Sequence, residues 1–298
     1  MKPKDLLLAL LIVLIWGINF VAIKVGLNGT PPLLLGAMRF VLAALPVLFI
    51  ACPKVPLRLF LAYGLTISVG QFAFLFCAIH LGMPAGLASV VLQAQAFFTL
   101  VFSALLLNER WKKAQLAGLI LASLGLAFIG AAHGQNMTLL GFILTLSASA
   151  MWATGNIVTR KVAATGPVNM FAFVVWASLV PPLPFLALSY LIEGPAAIFN
   201  ALNHFNWTSL AAVAYLAWAA TLLGYGLWAR LFSLYPANQV APFSLLVPVV
   251  GLITAYLVFG ETLNTQQWAG SLLLMSGLLI NLFGGRIKGM ILLKLKRA

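Results

Sequence analysis

Ten apolar stretches, separated by short punctuated connectors, leave this chain almost no route to a water-soluble core. They run approximately over 6–26, 33–51, 59–79, 85–107, 114–131, 139–159, 168–190, 208–229, 238–259 and 267–284. A helix that crosses a bilayer needs about 20 mostly apolar residues, and each stretch is close to that length. Charged residues make up only 7% of the chain and hydrophobic ones 63%, with a mean hydropathy of +1.09; a soluble domain carries roughly 25% charged residues. The expected fold is an all-α integral membrane protein with ten transmembrane helices. The first stretch is longer than the core of a secretory signal, and no small-x-small site follows it, so it is expected to be retained.

The charges fix an orientation. The chain holds 17 Lys and Arg against 4 acids, a net charge of +13. In a soluble protein this would point to nucleic acid; here the charges sit in short connectors, and no nucleic-acid partner is expected. If the amino terminus is cytoplasmic, one side of the bilayer receives 15 of the 17 bases, among them Lys2, Lys54, Arg58, Arg110, Arg160 and Arg286. The five opposite loops receive none, and Lys24 and Arg39 fall within spans one and two. That asymmetry predicts both termini in the cytoplasm. Cys52 and Cys77 are too few for a disulfide framework and show no metal-ligand spacing.

The chain repeats itself. A shift of 136 residues aligns Trp16 with Trp152, Lys24 with Arg160, Pro31 with Pro167 and Pro46 with Pro182. A shift of 152 aligns Tyr63 with Tyr215, Pro84 and Ala85 with Pro236 and Ala237, Glu109 with Glu261, and Gln115, Gly118 and Gly125 with Gln267, Gly270 and Gly277. The change of offset places an insertion in the loop from Glu193 to Trp207. The expected units are a first five-helix repeat over 1–134, a second over 135–285, and a basic cytoplasmic tail over 286–298 lying on the inner leaflet. Five spans is an odd number, so the halves must be inverted, as in secondary transporters with a midplane site between repeats.

These residues resemble the drug/metabolite transporter superfamily, and within it the ten-helix EamA-type exporters, over about residues 6 to 284. The resemblance is carried by Trp16-Gly17 with Lys24, Arg39-Phe40, Met83-Pro84-Ala85 with its echo Tyr235-Pro236-Ala237, and Gly260-Glu261-Thr262 with Gly270 and Gly277. The stretches Gln71 to Ala78 and Gly86 to Phe98 are similar to those of bacterial O-acetylserine/cysteine exporters. The resemblance implies a multi-pass protein of the bacterial inner membrane that exports small metabolites, namely O-acetylserine, cysteine and related amino acids. Composition itself shows neither cargo nor direction. Another amphiphilic metabolite or drug as cargo, or a non-catalytic membrane assembly role, remains the alternative, and the sequence allows a homodimer as well as a monomer.

Among individual residues Arg39 is the sharpest candidate. A charge near a helix centre costs roughly 2.5–3.5 kcal/mol on the translocon scale, no Asp or Glu lies inside a span to pair with it, and its repeat counterpart is Val175. Its guanidinium could take a substrate carboxylate; the structural alternative is capping of a broken neighbouring helix. Gln71, Gln93 and Gln95, with Asn19 and Asn156, need hydrogen-bond partners at mid-span. They either join helices or read the polar groups of a zwitterion. Gln93 and Gln95 lie about 200° apart on a helix, so both are not expected to face one cavity. Trp16, Trp152 and Trp218 could meet an ammonium by cation–π contact. Lys24 is a weaker cargo contact. Glu109 and Glu261 are expected to favour the dipoles of spans five and ten, and the Gly118–Gly125 stripe with Gly270 and Gly277 to bring helices close. His80, His133 and His204 fall at ends or loops. No catalytic constellation, metal site or cofactor motif is present in the sequence, so the chain is expected not to be an enzyme.

Overall fold

The structure, a computed structural model, describes residues 1–134, 136–235 and 237–295, with side chains at 107, 232, 233, 237, 238 and 285–295 outside the description. The basic side chains from Arg286 to Arg297, and Pro236 of the expected echo, therefore lie outside the described residues. Nine described helices are long and apolar enough to cross a membrane: α1 (Pro3–Gly26), α3 (Leu57–His80), α4 (Ala85–Leu106), α5 (Lys113–Ala131), α6 (Leu139–Ala163), α7 (Met170–Glu193), α8 (Trp207–Leu231), α9 (Ala241–Phe259) and α10 (Thr265–Gly284). A shorter apolar helix, α2 (Pro32–Leu48), completes the ten. It tightens into a 3₁₀ turn at Leu45–Leu48, where Pro46 cannot donate to the ladder. The loop expected from Glu193 to Trp207 instead contains a short helix, Pro195–Asn203, that exposes Phe199 and Leu202. Its 9 residues make up part of the 16-residue increase in offset between the repeats.

The inversion is visible in how the halves exchange partners. α1 lies against α8 and α9, while its counterpart α6 lies against α3 and α4. The two repeats thus interleave, each completing the core of the other. α5 and α10 pack along one another at glycines in crossed order. A Cβ on Gly118 would come within 2.6 Å of the Gly277 carbonyl oxygen, and one on Gly125 within 2.6 Å of that of Gly270. The paired positions are not repeat equivalents, and such crossing is what a two-fold axis between antiparallel helices requires. The small-residue stripe is therefore a packing surface, bringing backbones closer than any side chain permits.

The irregular turns repeat as well. α3 widens to π-helix at Gly64–Gly70 and α8 at Tyr215–Leu223; adding 152 to the first range gives 216–222. α4 tightens to 3₁₀ at Leu92–Ala94 and α9 at Ala241–Leu246, and the same shift carries 92–94 to 244–246. Pro242 accompanies the second break, whereas α4 bends without proline. Irregular turns inside long helices free backbone groups and re-aim side chains, and these four surround the middle of the bundle.

All four acids are engaged, away from the bundle centre. The Glu193 carboxylate at the end of α7 accepts the N–H groups of Leu33 and Leu34 at 2.6 and 3.2 Å, and the Ser189 hydroxyl at 2.6 Å. Tyr235 Oη donates to Asp5 Oδ2 at 2.7 Å. Glu109 pairs with Arg160, and Glu261 with Lys24. Glu261 departs from expectation. Its carboxylate caps the start of α4, accepting from Ala85 and Gly86 at 3.0 and 2.9 Å, rather than serving the dipole of α10. That helix is capped locally by Gln267, whose Oε1 accepts the Asn264 N–H at 3.1 Å, as Gln115 does for Lys112 at 2.9 Å before α5.

Candidate substrate cavity

A cavity of about 620 Å³ lies between the repeats, within the range for small-molecule sites. Its walls come from α1, α2, α3, α4, α6, α7, α8 and α9; α5 and α10 contribute nothing. It runs from mid-span to the end of the bundle where α6 finishes and α7 begins, reaching Arg160, Ala163 and Met170. That end carries the basic connectors and is called the basic face below; the other is the charge-poor face.

Eight of the nine residues singled out from the sequence line this space: Arg39, Trp16, Asn19, Gln71, Gln93, Gln95, Trp152 and Asn156. Trp218 does not. It is half exposed on the outside of α8, and its indole N–H donates to the Leu42 carbonyl at 3.4 Å. The π-helical turn that contains it, together with its neighbours, sends Ala220 rather than Trp218 to the cavity. Lys24 also lies outside, on Glu261. Gln93 and Gln95 both reach the wall, against the expectation from ideal helical spacing, because the 3₁₀ turn Leu92–Ala94 alters the angle between them. Each also joins helices: Gln93 Nε2 donates to the Ser244 carbonyl at 3.1 Å, and Gln95 Oε1 accepts from Asn156 Nδ2 at 2.8 Å. Asn156 additionally donates to Thr99 Oγ1 at 3.1 Å.

Arg39 is 1% exposed. Its Nε and Nη2 donate to one oxygen, Thr221 Oγ1, at 3.1 and 2.9 Å. The Thr221 hydroxyl gives its own proton to the Leu216 carbonyl at 2.8 Å, an i−5 reach matched to the π-helical turn, which leaves its lone pairs for the arginine. The guanidinium stacks over Phe72 at 3.8 Å from the ring centre, a favourable contact for a desolvated cation. Nη1 is left buried with no partner. Neither helix capping nor snorkelling to the interface describes this side chain. Of the other buried atoms without a partner, Asn19 Oδ1 and Gln71 Oε1 also belong to cavity-lining residues, whereas Gln267 Nε2 and Ser271 Oγ lie on α10; the lining residues thus carry one unpartnered cationic donor and two neutral acceptors.

The aromatic wall was only partly foreseen. Trp16 donates through Nε1 to the Ala220 carbonyl at 3.0 Å and packs on Tyr225 and Trp228, with ring centres 5.4 and 5.2 Å away. Tyr225, Trp228, Thr99 and Ser244 gave no signal in the sequence, since such residues in an apolar run read equally as packing or belt positions. Tyr63 was marked only by its repeat with Tyr215. Among the described residues no group of three or more His, Cys, Asp or Glu side chains comes together to hold a metal ion.

The sequence matches the model of the EamA-like transporter family twice, over residues 4–131 and 139–283. The chain belongs to this family. It is 52% identical over 292 residues to a Salmonella typhimurium protein named "Probable amino-acid metabolite efflux pump", covering 97% of this chain and 98% of that one. It is 50% identical over 291 residues to an Escherichia coli protein of the same name, covering 96% and 97%. A protein of known crystal structure aligns with a TM-score of 0.61 at 18% identity, covering 94% of this chain and 96% of that one; this likeness concerns the fold alone.

Proposed function

We propose that this family member exports amino-acid metabolites, with O-acetylserine and cysteine as the leading cargoes, by alternating access of the central cavity. The observation that carries this reading is the buried, unpartnered Nη1 of Arg39 beside the cavity. With every acid engaged elsewhere, a carboxylate on the cargo is the natural counter-charge, and hydrogen bonds to a charged acceptor are the strong ones. At the other end of an α-amino acid, the carbonyl oxygens of Asn19 and Gln71 can accept from the ammonium, with Trp16 and Trp152 offering aromatic faces. Gln93, Gln95 and Asn156 add further polar groups to the lining. The relatives' printed name agrees with this cargo class, and O-acetylserine and cysteine come from the sequence resemblance. No step in such transport calls for covalent chemistry, so we read the chain as a carrier and not an enzyme.

Purified protein in vesicles should release labelled cysteine about tenfold faster than empty vesicles do. Release at the protein-free rate would move the reading to another amphiphilic metabolite.

The same reading places the basic face in the cytoplasm, both termini there, and the repeats at 1–134 and 135–285. Reporter fusions after Pro53 and Arg160 should then report cytoplasm, and fusions after Asn28 and Asn203 the opposite side. A cytoplasmic signal at Asn203 would overturn the proposed topology.

A further inference from the structure

At the charge-poor face three elements from both repeats meet on one carboxylate. Lys24 Nζ, at the end of α1, is 2.7 Å from Glu261 Oε1 and 4.5 Å from the centre of the Phe259 ring. The same carboxylate takes the N–H groups of Ala85 and Gly86 at the start of α4. Glu261 keeps 12% of its side chain exposed and Lys24 38%, so the carboxylate is largely shielded while the ammonium still meets water. Removing Lys24 leaves the Glu261 carboxylate mostly out of water, held by its two backbone N–H groups. Inward of this clasp Ser89 is buried, its hydroxyl bonded to the Gly86 carbonyl at 2.6 Å. The cavity ends there.

The inverted counterparts of Lys24 and Glu261 are Arg160 and Glu109, on the basic face. They are also paired, and Arg160 Nη1 donates to Ser103 Oγ at 2.8 Å. The Arg160 guanidinium holds the Glu109 carboxyl below the usual carboxylate range. This second pair is open to water, with side chains 49% and 46% exposed, and Arg160 stands at the cavity mouth. One pair is thus shut over the blind end of the cavity, while its symmetry mate flanks the open end.

We propose that Lys24–Glu261 is the gate of the charge-poor end, and that Arg160–Glu109 is the gate of the basic end, closing as the first opens. In an inverted-repeat carrier, exchanging the conformations of the two halves converts one facing state into the other. The more buried clasp seen on one side is then what the basic side adopts in the opposite state. The proposal rests on the alternating-access reading but not on the cargo, because neither pair touches the unpartnered atoms around Arg39.

The test reads access, not transport. In the full chain carrying Cys52→Ser and Cys77→Ser, Ser89→Cys reports entry of a membrane-impermeant thiol reagent added to the charge-poor side of oriented vesicles. Lys24→Gln, which leaves the carboxylate on Ala85 and Gly86, should raise the labelling rate about tenfold, the shift expected when one facing state loses roughly 1.4 kcal/mol. Glu261→Gln should do the same, and Lys24→Arg should label like the parent. Adding Arg160→Gln to Lys24→Gln should bring the rate back toward the parent, because the Arg160–Glu109 pair, exposed here, is proposed to bind more strongly when buried in the opposite state. Unchanged labelling in membrane-inserted Lys24→Gln overturns the charge-poor gate, whether or not Glu261→Gln folds. A double variant that labels as fast as Lys24→Gln alone overturns the basic gate. Labelled-cysteine release by the parent is measured in the same vesicles, so failure of the cargo reading and failure of the gates are separate results.

Discussion

Arg39→Ala should abolish measurable transport while leaving the protein in the membrane at its normal level. Truncating one member of a buried, hydrogen-bonded charge pair costs roughly 2–5 kcal/mol. At about 1.4 kcal/mol per factor of ten, that is thirtyfold or more in the rate at low cargo concentration. The protein itself should not suffer correspondingly. Removing a cation from mid-span relieves an insertion cost of roughly 2.5–3.5 kcal/mol, and Thr221 keeps its bond to the Leu216 carbonyl. Arg39→Lys should recover little, since an ammonium cannot hold Thr221 with two nitrogens while presenting a third to the cargo. The check is initial transport rate at matched membrane abundance. Full activity in Arg39→Ala would falsify the carboxylate role. Loss of membrane abundance would show instead that the guanidinium and Thr221 hold α2 to α8.

The sequence makes Arg39 conspicuous for the same reason: a charge inside a span has few structural excuses. Its partner was not legible. Threonine in an apolar run bonds its own helix as readily as a neighbour, and only the π-helical turn of α8 aims Thr221 at α2. The ten spans and the repeat were legible because charges and prolines punctuate the chain, and inversion follows from the odd number of spans per half. Side-chain direction within a span was less so. Trp218 and Trp16 look alike in a chain where both lipid and cavity accept aromatics, and Gln93 with Gln95 could be judged only against an ideal helix that α4 does not follow. For Glu261, position before α10 suggested a role at the dipole of that helix. The actual partner lies 176 residues away, a contact created by interleaving the repeats.

The repeats also meet along α5 and α10, and Gly125→Val should damage that contact more than substitutions elsewhere on these helices. A Cβ at Gly125 would lie 2.6 Å from both the Gly270 carbonyl oxygen and the Leu274 backbone nitrogen. These are backbone atoms and cannot rotate away, so the helices must separate. Overpacking a core typically costs 1–3 kcal/mol, and parting two backbones along a span should reach about 3 kcal/mol or more, a large part of the stability of a folded domain. Thermal unfolding in detergent should therefore begin well below the parent's temperature, whereas Leu124→Ala, on the exposed side of the same helix, should change little. The crossed pairing sets a further condition. Gly270→Val closes the same contact from the opposite side, where its Cβ meets the Gly125 carbonyl at 2.6 Å, so combining it with Gly125→Val should cost much less than the sum. Gly118→Val acts at the other contact, against Gly277, two turns away, and should combine with Gly125→Val almost additively. If instead Gly125 couples as strongly to Gly277, its repeat equivalent, as to Gly270, the helices are not packed about a two-fold axis and the inverted arrangement of the halves fails with it.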